Sequence, residues 1–353
     1  MLRLRYSKFL FPPLGYGGIF APRMQVHREI GLLPRFSNAV VTIGTFDGVH
    51  AGHQQIIAQL KKEAALVDGE TVIITFHPHP RKVVREGQTS VAILTTLAEK
   101  IALLEAKGIH HLVVVPFTES FANQTAEEYI TDFLVAKFNP HTIIIGYDHR
   151  FGKGRSGDYH LLEAFGNKLG FAVKEINEQL LNDIIISSTR IREALFAGDV
   201  ATANNYLGHS YFFEGTVVQG NQLGRTIGYP TANLHIEDAE KLVPGNGVYA
   251  VEVEFPVSGF QFPVSEADDT NLQLSPSFRG RALGMMNIGI RPTINGHNRV
   301  IEVNIFDFNQ DIYGKTLRVY LKKYLRGEVK FNGLDALKQQ LAKDRADALQ
   351  ALG

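Results

Sequence analysis

The chain contains no cysteine, which removes a disulfide scaffold and any cysteine-based zinc site and fits a reducing, cytoplasmic setting. It has no excess of charge, with 36 Lys plus Arg against 36 Asp plus Glu, so no bulk field recruits nucleic acid or an anionic membrane. No apolar run approaches the length of a membrane span, and there is no fixed-period repeat or low-complexity tract. What remains is a globular protein whose 353 residues suffice for about two domains. Small-molecule partners are expected, with no nucleic acid and no membrane; an oligomer is left open.

Residues 1–23 stand apart. They carry Arg3, Arg5, Lys8 and Arg23 with no acid, and a break at Phe9–Pro13. A transit peptide is one account; a start codon taken upstream of Met24 is a simpler one. The segment is set aside as a non-core extension.

From Ala39 to about Phe196, short β-branched runs alternate with amphipathic stretches. Strands are expected at Ala39–Ile43, Thr71–Phe76, His111–Val115, Thr142–Ile145 and Phe171–Ile176, and helices at Gln54–Leu66, Leu97–Lys107, Ala126–Lys137 and Tyr159–Leu169. That pattern argues for a parallel sheet covered on both faces, with ligands at the carboxyl ends of its strands. Past Gly208 the period changes. Strands at Phe213–Gln219, Val248–Phe255, Leu283–Ile288, Ile301–Asp307 and Thr316–Leu325, closed by a helix at Leu334–Leu349, indicate an antiparallel barrel. The expected division is 24–208 and 209–353, after a short helix at Val200–Tyr206. Fragments cut near Leu207–Tyr211 are expected to fold separately.

The stretch Ile43-Gly44-Thr45-Phe46-Asp47-Gly48-Val49-His50-Ala51-Gly52-His53 joins the first strand to the first helix. A first helical turn has unpaired N–H groups and the positive end of the dipole. Gly44, Gly48 and Gly52 let backbone approach a ligand, and His50 and His53 can donate to phosphate oxygens. Either histidine could instead bind a metal or cap a loop. Phe76-His77-Pro78-His79-Pro80 ends the second strand and would read, alone, as a rigid turn. Gly146-Tyr147-Asp148-His149-Arg150 follows a later strand, where Asp148 can accept hydrogen bonds; a solvated basic loop is the alternative. In Ser187-Ser188-Thr189-Arg190-Ile191-Arg192, hydroxyls reach an N-cap while arginines enter the start of the helix, against its dipole. A bound triphosphate would resolve that conflict.

In the second half, Gly224-Arg225-Thr226-Ile227-Gly228-Tyr229-Pro230-Thr231-Ala232-Asn233 is a glycine-rich loop entering a strand, without the Lys-Ser/Thr of a Walker loop. Thr231 and Asn233 share one strand face, and their oxygens are hard ligands suited to Mg²⁺. Taken alone the stretch would pass for a Pro turn and an ordinary strand. Glu302 alternates with Ile301 and Val303. It is either an exposed or salt-bridged carboxylate or, if it faces Thr231 and Asn233, a general base.

The first-half motifs resemble the HxGH nucleotidyltransferases, and the Gly-Tyr-Pro-Thr-Ala-Asn barrel resembles riboflavin kinase. In this order from about Met24 onward, with Asn287-Ile288-Gly289-Ile290-Arg291-Pro292-Thr293 and Asp311-Ile312-Tyr313-Gly314, the chain is similar to the bifunctional prokaryotic riboflavin kinase/FMN adenylyltransferases, or FAD synthetases. The resemblance implies a Rossmann-like parallel α/β nucleotidyltransferase domain followed by an antiparallel β-barrel kinase domain with a C-terminal helix. It implies that riboflavin, FMN and ATP are the substrates, with Mg²⁺ as cofactor. By it, Gly44, Phe46, Asp47, His50, His53, Ser188, Thr189 and Arg192 would hold ATP in the first domain, His50 and His53 acting in catalysis. Gly228, Thr231 and Asn233 would hold Mg–ATP in the second with Glu302 as base, and Asp148 and Arg326 would lie at flavin. Three positions depart from the family pattern: His149 in place of a Phe, a longer segment Pro256–Gly280, and the tail Asp344-Arg345-Ala346-Asp347-Ala348. A different class also fits part of the sequence: a metal-dependent phosphohydrolase using His50, His53, His77, His79 and Asp47, with the barrel as a flavin-binding module.

Overall fold

The computed structural model describes residues 23–84, 92–176, 187–220, 222–255, 281–293 and 296–353. The extension before Arg23 and the Pro256–Gly280 segment lie outside the described residues.

The first half runs β1 (Gln25–His27), β2 (Val40–Ile43), α1 (Ala51–Leu66), β3 (Thr71–His77), α2 (Pro80–Val84), α3 (Leu97–Glu105), β4 (His111–Pro116) and α4 (Glu119–Ala122). It continues through α5, a helical run over residues 126–138 with a π-helical middle at Tyr129–Val135. Then come β5 (Thr142–Gly146), α6 (Tyr159–Leu169), β6 (Ala172–Ile176), α7 (Ser188–Phe196) and α8 (Val200–Leu207). The strands pair in the order β1-β4-β3-β2-β5-β6, each pair parallel. Strand order reverses direction between β2 and β5, and the crevice outside their carboxyl ends is where such sheets bind ligands.

Alternation along the buried strands feeds two cores. Val41, Ile43, Val72, Ile74, Ile143 and Ile145 face α5 and α6, while Val40, Ile73, Leu112 and Ile144 face α1 and α3. Helix starts follow local chemistry. Thr96 and Glu99 form a reciprocal capping box on α3, and Asp158, Ser187 and Asp199 cap α6, α7 and α8.

The second half runs β7 (Phe212–Val218), α9 (Leu223–Thr226), β8 (Ala232–His235), β9 (Gly247–Glu254), β10 (Arg281–Thr293), β11 (Gly296–Ile305), β12 (Thr316–Arg326) and α10 (Leu334–Leu352). Its strands close into an antiparallel barrel, β10-β11-β8-β7-β12-β9. Val217, Val251, Val253, Met286, Ile288, Val303 and Val319 fill it. The same apolar cluster contains Leu94, Ile191, Leu195, Val200, Ala203 and Leu207, so α7 and α8 pack as part of the barrel's core.

Several bounds differ from expectation: β10 runs on to Thr293, past the expected Ile288, and β11 begins at Gly296, before the expected Ile301. Helix α1 begins at Ala51, three residues before the expected Gln54, because its first turn carries no apolar repeat. Strand β1, only Gln25–His27, pairs with β4 at the sheet edge and is too short to show alternation.

Candidate active sites

Behind β2 the backbone turns sharply. Phe46 and Val49 take positive φ (48° and 41°), and Gly48 sits at φ 83°, where a Cβ would lie 2.8 Å from Leu94 Cδ1. His50 then caps α1: its Nδ1 accepts the His53 amide at 3.3 Å, which places the ring proton on Nε2. The His50 and His53 rings stack 3.6 Å apart at 17°, and Phe46 closes on His53 at 4.8 Å. Burial pushes His50 down to about 4, despite the Asp47 carboxylate, and holds His53 well below its ordinary value, helped by His50 beside it. Both imidazoles are therefore neutral at pH 7, able to donate from one ring nitrogen without carrying charge. The His53 Nδ1 is buried without a partner.

Charge at this corner comes from other residues. Lys100 on α3 is buried, donates to Thr45 O at 2.6 Å, and is lowered to about 8 by burial, so it remains largely protonated at pH 7. His79 is lowered by burial to about 4 and feels Asp47, Arg192 and Lys100, whereas His77 is exposed. Among the described residues no group of three or more His, Asp or Glu converges in a way that could hold a metal, which leaves the hydrolase reading without its metal site.

Asp47 is buried, its side chain 3% exposed. Its Oδ1 accepts the amides of Leu94 (2.9 Å) and Thr95 (3.0 Å), and its Oδ2 pairs with Arg192. Arg192 Nε also donates to Ala92 O at 2.6 Å. A carboxylate thus answers the arginine in α7 without an anion from solution. Ser188 Oγ donates to Asp47 O at 3.1 Å, tying the two motifs together, while Thr189 is exposed in the first turn of α7. Asp148 is exposed just past β5, over Gly146, at the carboxyl end of the strand beside β2. The His149 ring turns toward Phe151 (5.9 Å), which stacks on Tyr129. It occupies an aromatic slot, neutral, with burial pushing it to about 4 and its Nε2 sealed without a partner.

In the barrel, β8 and β11 pair so that Glu302 lies directly opposite Asn233. Residues paired this way project to the same face with Cβ atoms about 5 Å apart. Asn287 on β10 is opposite Glu302 on its other side. Thr231, two residues before Asn233, lines a cavity of about 420 Å³ with Arg225, Phe308, Asp311 and Tyr313, a size suited to a small ligand. The preceding loop closes through the Tyr229 amide on Gly224 O (2.8 Å) and turns at Gly228 (φ 85°). Asn233 lies across Gly220, where a Cβ would come within 2.1 Å of its Nδ2. Asn304, buried, pins this loop by donating to Pro230 O at 2.7 Å. The hard oxygens of Thr231 and Asn233, with the Glu302 carboxylate in register with Asn233, are a donor set that fits Mg²⁺. At the end of β12 the Arg326 guanidinium forks onto the buried Asp344 carboxylate (2.8 and 2.6 Å), fastening α10 to β12.

Sequence reasoning set Asn304 on the strand face of Glu302 without giving it a role, and missed Lys100 and residues 92–95. Lys100 and residues 92–95 lie in no motif and reach the site only through the fold.

The family model described as FAD synthetase matches residues 34–190, and that described as riboflavin kinase matches residues 207–352. The bifunctional riboflavin kinase/FMN adenylyltransferase of Escherichia coli K12 is 36% identical over 318 residues, spanning 89% of this chain and 93% of that protein. The enzyme of the same description from Haemophilus influenzae is 38% identical over 304 residues, 86% and 91% of the two chains. A crystal structure described as a macrolide-efflux protein from Streptococcus pneumoniae superposes with a TM-score of 0.75 at 31% identity, covering 92% of this chain and 97% of that one. Among the described residues no helix is long and apolar enough to cross a membrane. With both halves matched in order and nearly the whole length of such relatives covered, the chain belongs to the bifunctional riboflavin kinase/FMN adenylyltransferase family.

Proposed function

We propose that the barrel phosphorylates riboflavin at its ribityl 5′-hydroxyl with ATP, and that the α/β half transfers an adenylyl group from ATP to FMN, releasing pyrophosphate and making FAD. Beyond family membership, the observation that carries this is the register setting Glu302 directly opposite Asn233, two residues after Thr231.

The two reactions demand different groups. An alcohol has a pKa near that of water, about 16, so its attack on phosphorus needs a base. Glu302 can take that proton, with Asn304 and Gly220 holding the loop and Asn233 in place around it. Mg²⁺ held by Thr231 and Asn233 would supply charge neutralisation on the phosphates. The FMN phosphate is already ionised, so adenylyl transfer needs alignment and charge stabilisation but no base. His50 and His53 offer neutral N–H donors to phosphate oxygens at the α1 N-terminus, where the helix dipole adds its positive end. Ser188 and Thr189 would contact the phosphates from α7. Arg192 acts through Asp47, and Asp148 meets FMN from the β5 side.

The test is to incubate the purified protein with ATP, Mg²⁺ and riboflavin and to separate the products. FMN followed by FAD is expected; ADP or phosphate released without either flavin product would defeat the proposal.

A further inference from the structure

Residues 92–96 form a strap bonded to both halves of the molecule. Toward the first half, the amides of Leu94 and Thr95 hold Asp47, Thr95 Oγ1 accepts the Gly48 amide at 3.0 Å, and Ala92 O accepts Arg192. Toward the second, Ile93 forms a parallel bridge with Lys241, donating its N–H to Glu240 O at 2.7 Å and accepting that of Leu242 at 2.9 Å. Lys241 then reaches across: its Nζ donates to Leu94 O and to Glu99 Oε2, both at 2.6 Å. Glu99 Oε2 also accepts the Thr96 amide at 2.8 Å. One carboxylate oxygen therefore joins a lysine of the barrel half to the strap's last residue and to the N-terminus of α3.

Lys241 and Glu99 are each 1% exposed at the side chain, and an ion pair so thoroughly removed from water is seldom kept for stability alone. Burial lowers the Lys241 ammonium against the pull of Glu99. Its contacts within its own half are the faces of Tyr211 (4.7 Å) and Phe212 (5.6 Å), and it does not line the cavity beside Thr231. Its two direct hydrogen-bond acceptors belong to the other half. Those acceptors lie one step from the groups that hold Asp47 and Gly48, and His50 follows two residues after Gly48.

We propose that Lys241, a residue of the kinase half, is a positioning residue for adenylyl transfer: it clamps the 92–96 strap, and the strap fixes the Asp47 carboxylate and Gly48 amide on which Arg192 and the His50 corner are set. This rests on the adenylyl-transfer reading of that corner. The corner holds ATP phosphates before and during reaction, so loosening it weakens ATP binding first.

The experiment compares the full-length protein with Lys241→Met and with the double variant Glu99→Gln/Lys241→Met, in which no charge is left buried alone. FAD formation from supplied FMN and FMN formation from riboflavin are measured separately over a range of ATP. In both variants the KM for ATP in FAD formation should rise at least tenfold, while kcat and KM of riboflavin phosphorylation stay within twofold. A lysine that only stabilised the fold would reduce the active fraction and leave that KM unmoved. The proposal is overturned if the adenylyl-transfer KM stays within twofold, or if both reactions fall in step. Failure of the underlying reading looks different: the unsubstituted protein would make no FAD from FMN, and the proposal would fall with it.

Discussion

In the proposed adenylyl transfer His50 and His53 would meet phosphate as neutral rings, because burial holds both below their ordinary value. Their value is in direction: Nδ1 of His50 is occupied by the helix cap, so its other nitrogen carries the proton outward. His53→Ala should therefore abolish FAD formation while FMN formation from riboflavin stays near normal; equal loss of both in a folded variant would contradict separate sites. A pH effect follows from the same burial. Between pH 6.5 and 4 the unfolded chain binds a proton at His50 that the folded chain refuses, so stability falls as pH falls through that window. The loss from this one group is on the order of 3 kcal/mol. Urea midpoints at pH 7 and pH 4.5 should show His50→Gln losing less stability than the unsubstituted protein. In the barrel, Glu302→Gln should slow riboflavin phosphorylation by about 10²–10⁴ and spare FAD formation from supplied FMN. A kinase turnover reduced less than about tenfold would make Glu302 a strand residue and not a base.

Helix α8, packed into the barrel's core, is also tied to two strands by one polar side chain. Asn204 accepts the Tyr211 amide at 2.7 Å and donates to Leu321 O at 2.9 Å, bridging the helix to the start of β7 and to β12. Asn204→Ala leaves both backbone groups without that partner and should cost about 1–3 kcal/mol, read as a lower melting temperature for the kinase activity. Elements like β2 to β5 were legible in the sequence because both faces are buried and the β-branched runs are unbroken. The Thr231–Asn233 face was legible from alternation, and pairing with β11 supplied the Glu302 register that alternation could only leave open. The first turn of α1 was not, since Ala51-Gly52-His53 carries no apolar period. Arg192 was read toward phosphate because nothing in its own segment could answer its charge; Asp47, 145 residues earlier, does so. Lys241 and Glu99 are 142 residues apart, and no spacing within a motif announces such a pair.

Two separate cores were the expectation for the whole molecule, but the apolar cluster runs from α7 and α8 into the barrel. A fragment of residues 209–353 would expose the barrel flank that Ile191, Leu195, Val200, Ala203 and Leu207 cover. A fragment of residues 187–353 keeps it covered. The longer fragment should unfold at a clearly higher urea concentration while both make FMN and neither makes FAD. Equal midpoints would show that the helices contribute little to the barrel. The complementary fragment ending at residue 208 would carry those five side chains uncovered and lose the Lys241 clamp, so its FAD formation should be weak or absent.

The seam has a consequence for how such a protein can change by descent. A gene severed at the join would give one product a bare apolar flank and the other a slack nucleotide corner. Either piece would have to acquire a new surface before it could be inherited alone. The two reactions are thus held together by packing as well as by the order of their substrates. A substitution in the barrel half at position 241 would be filtered by selection on the chemistry of the other half.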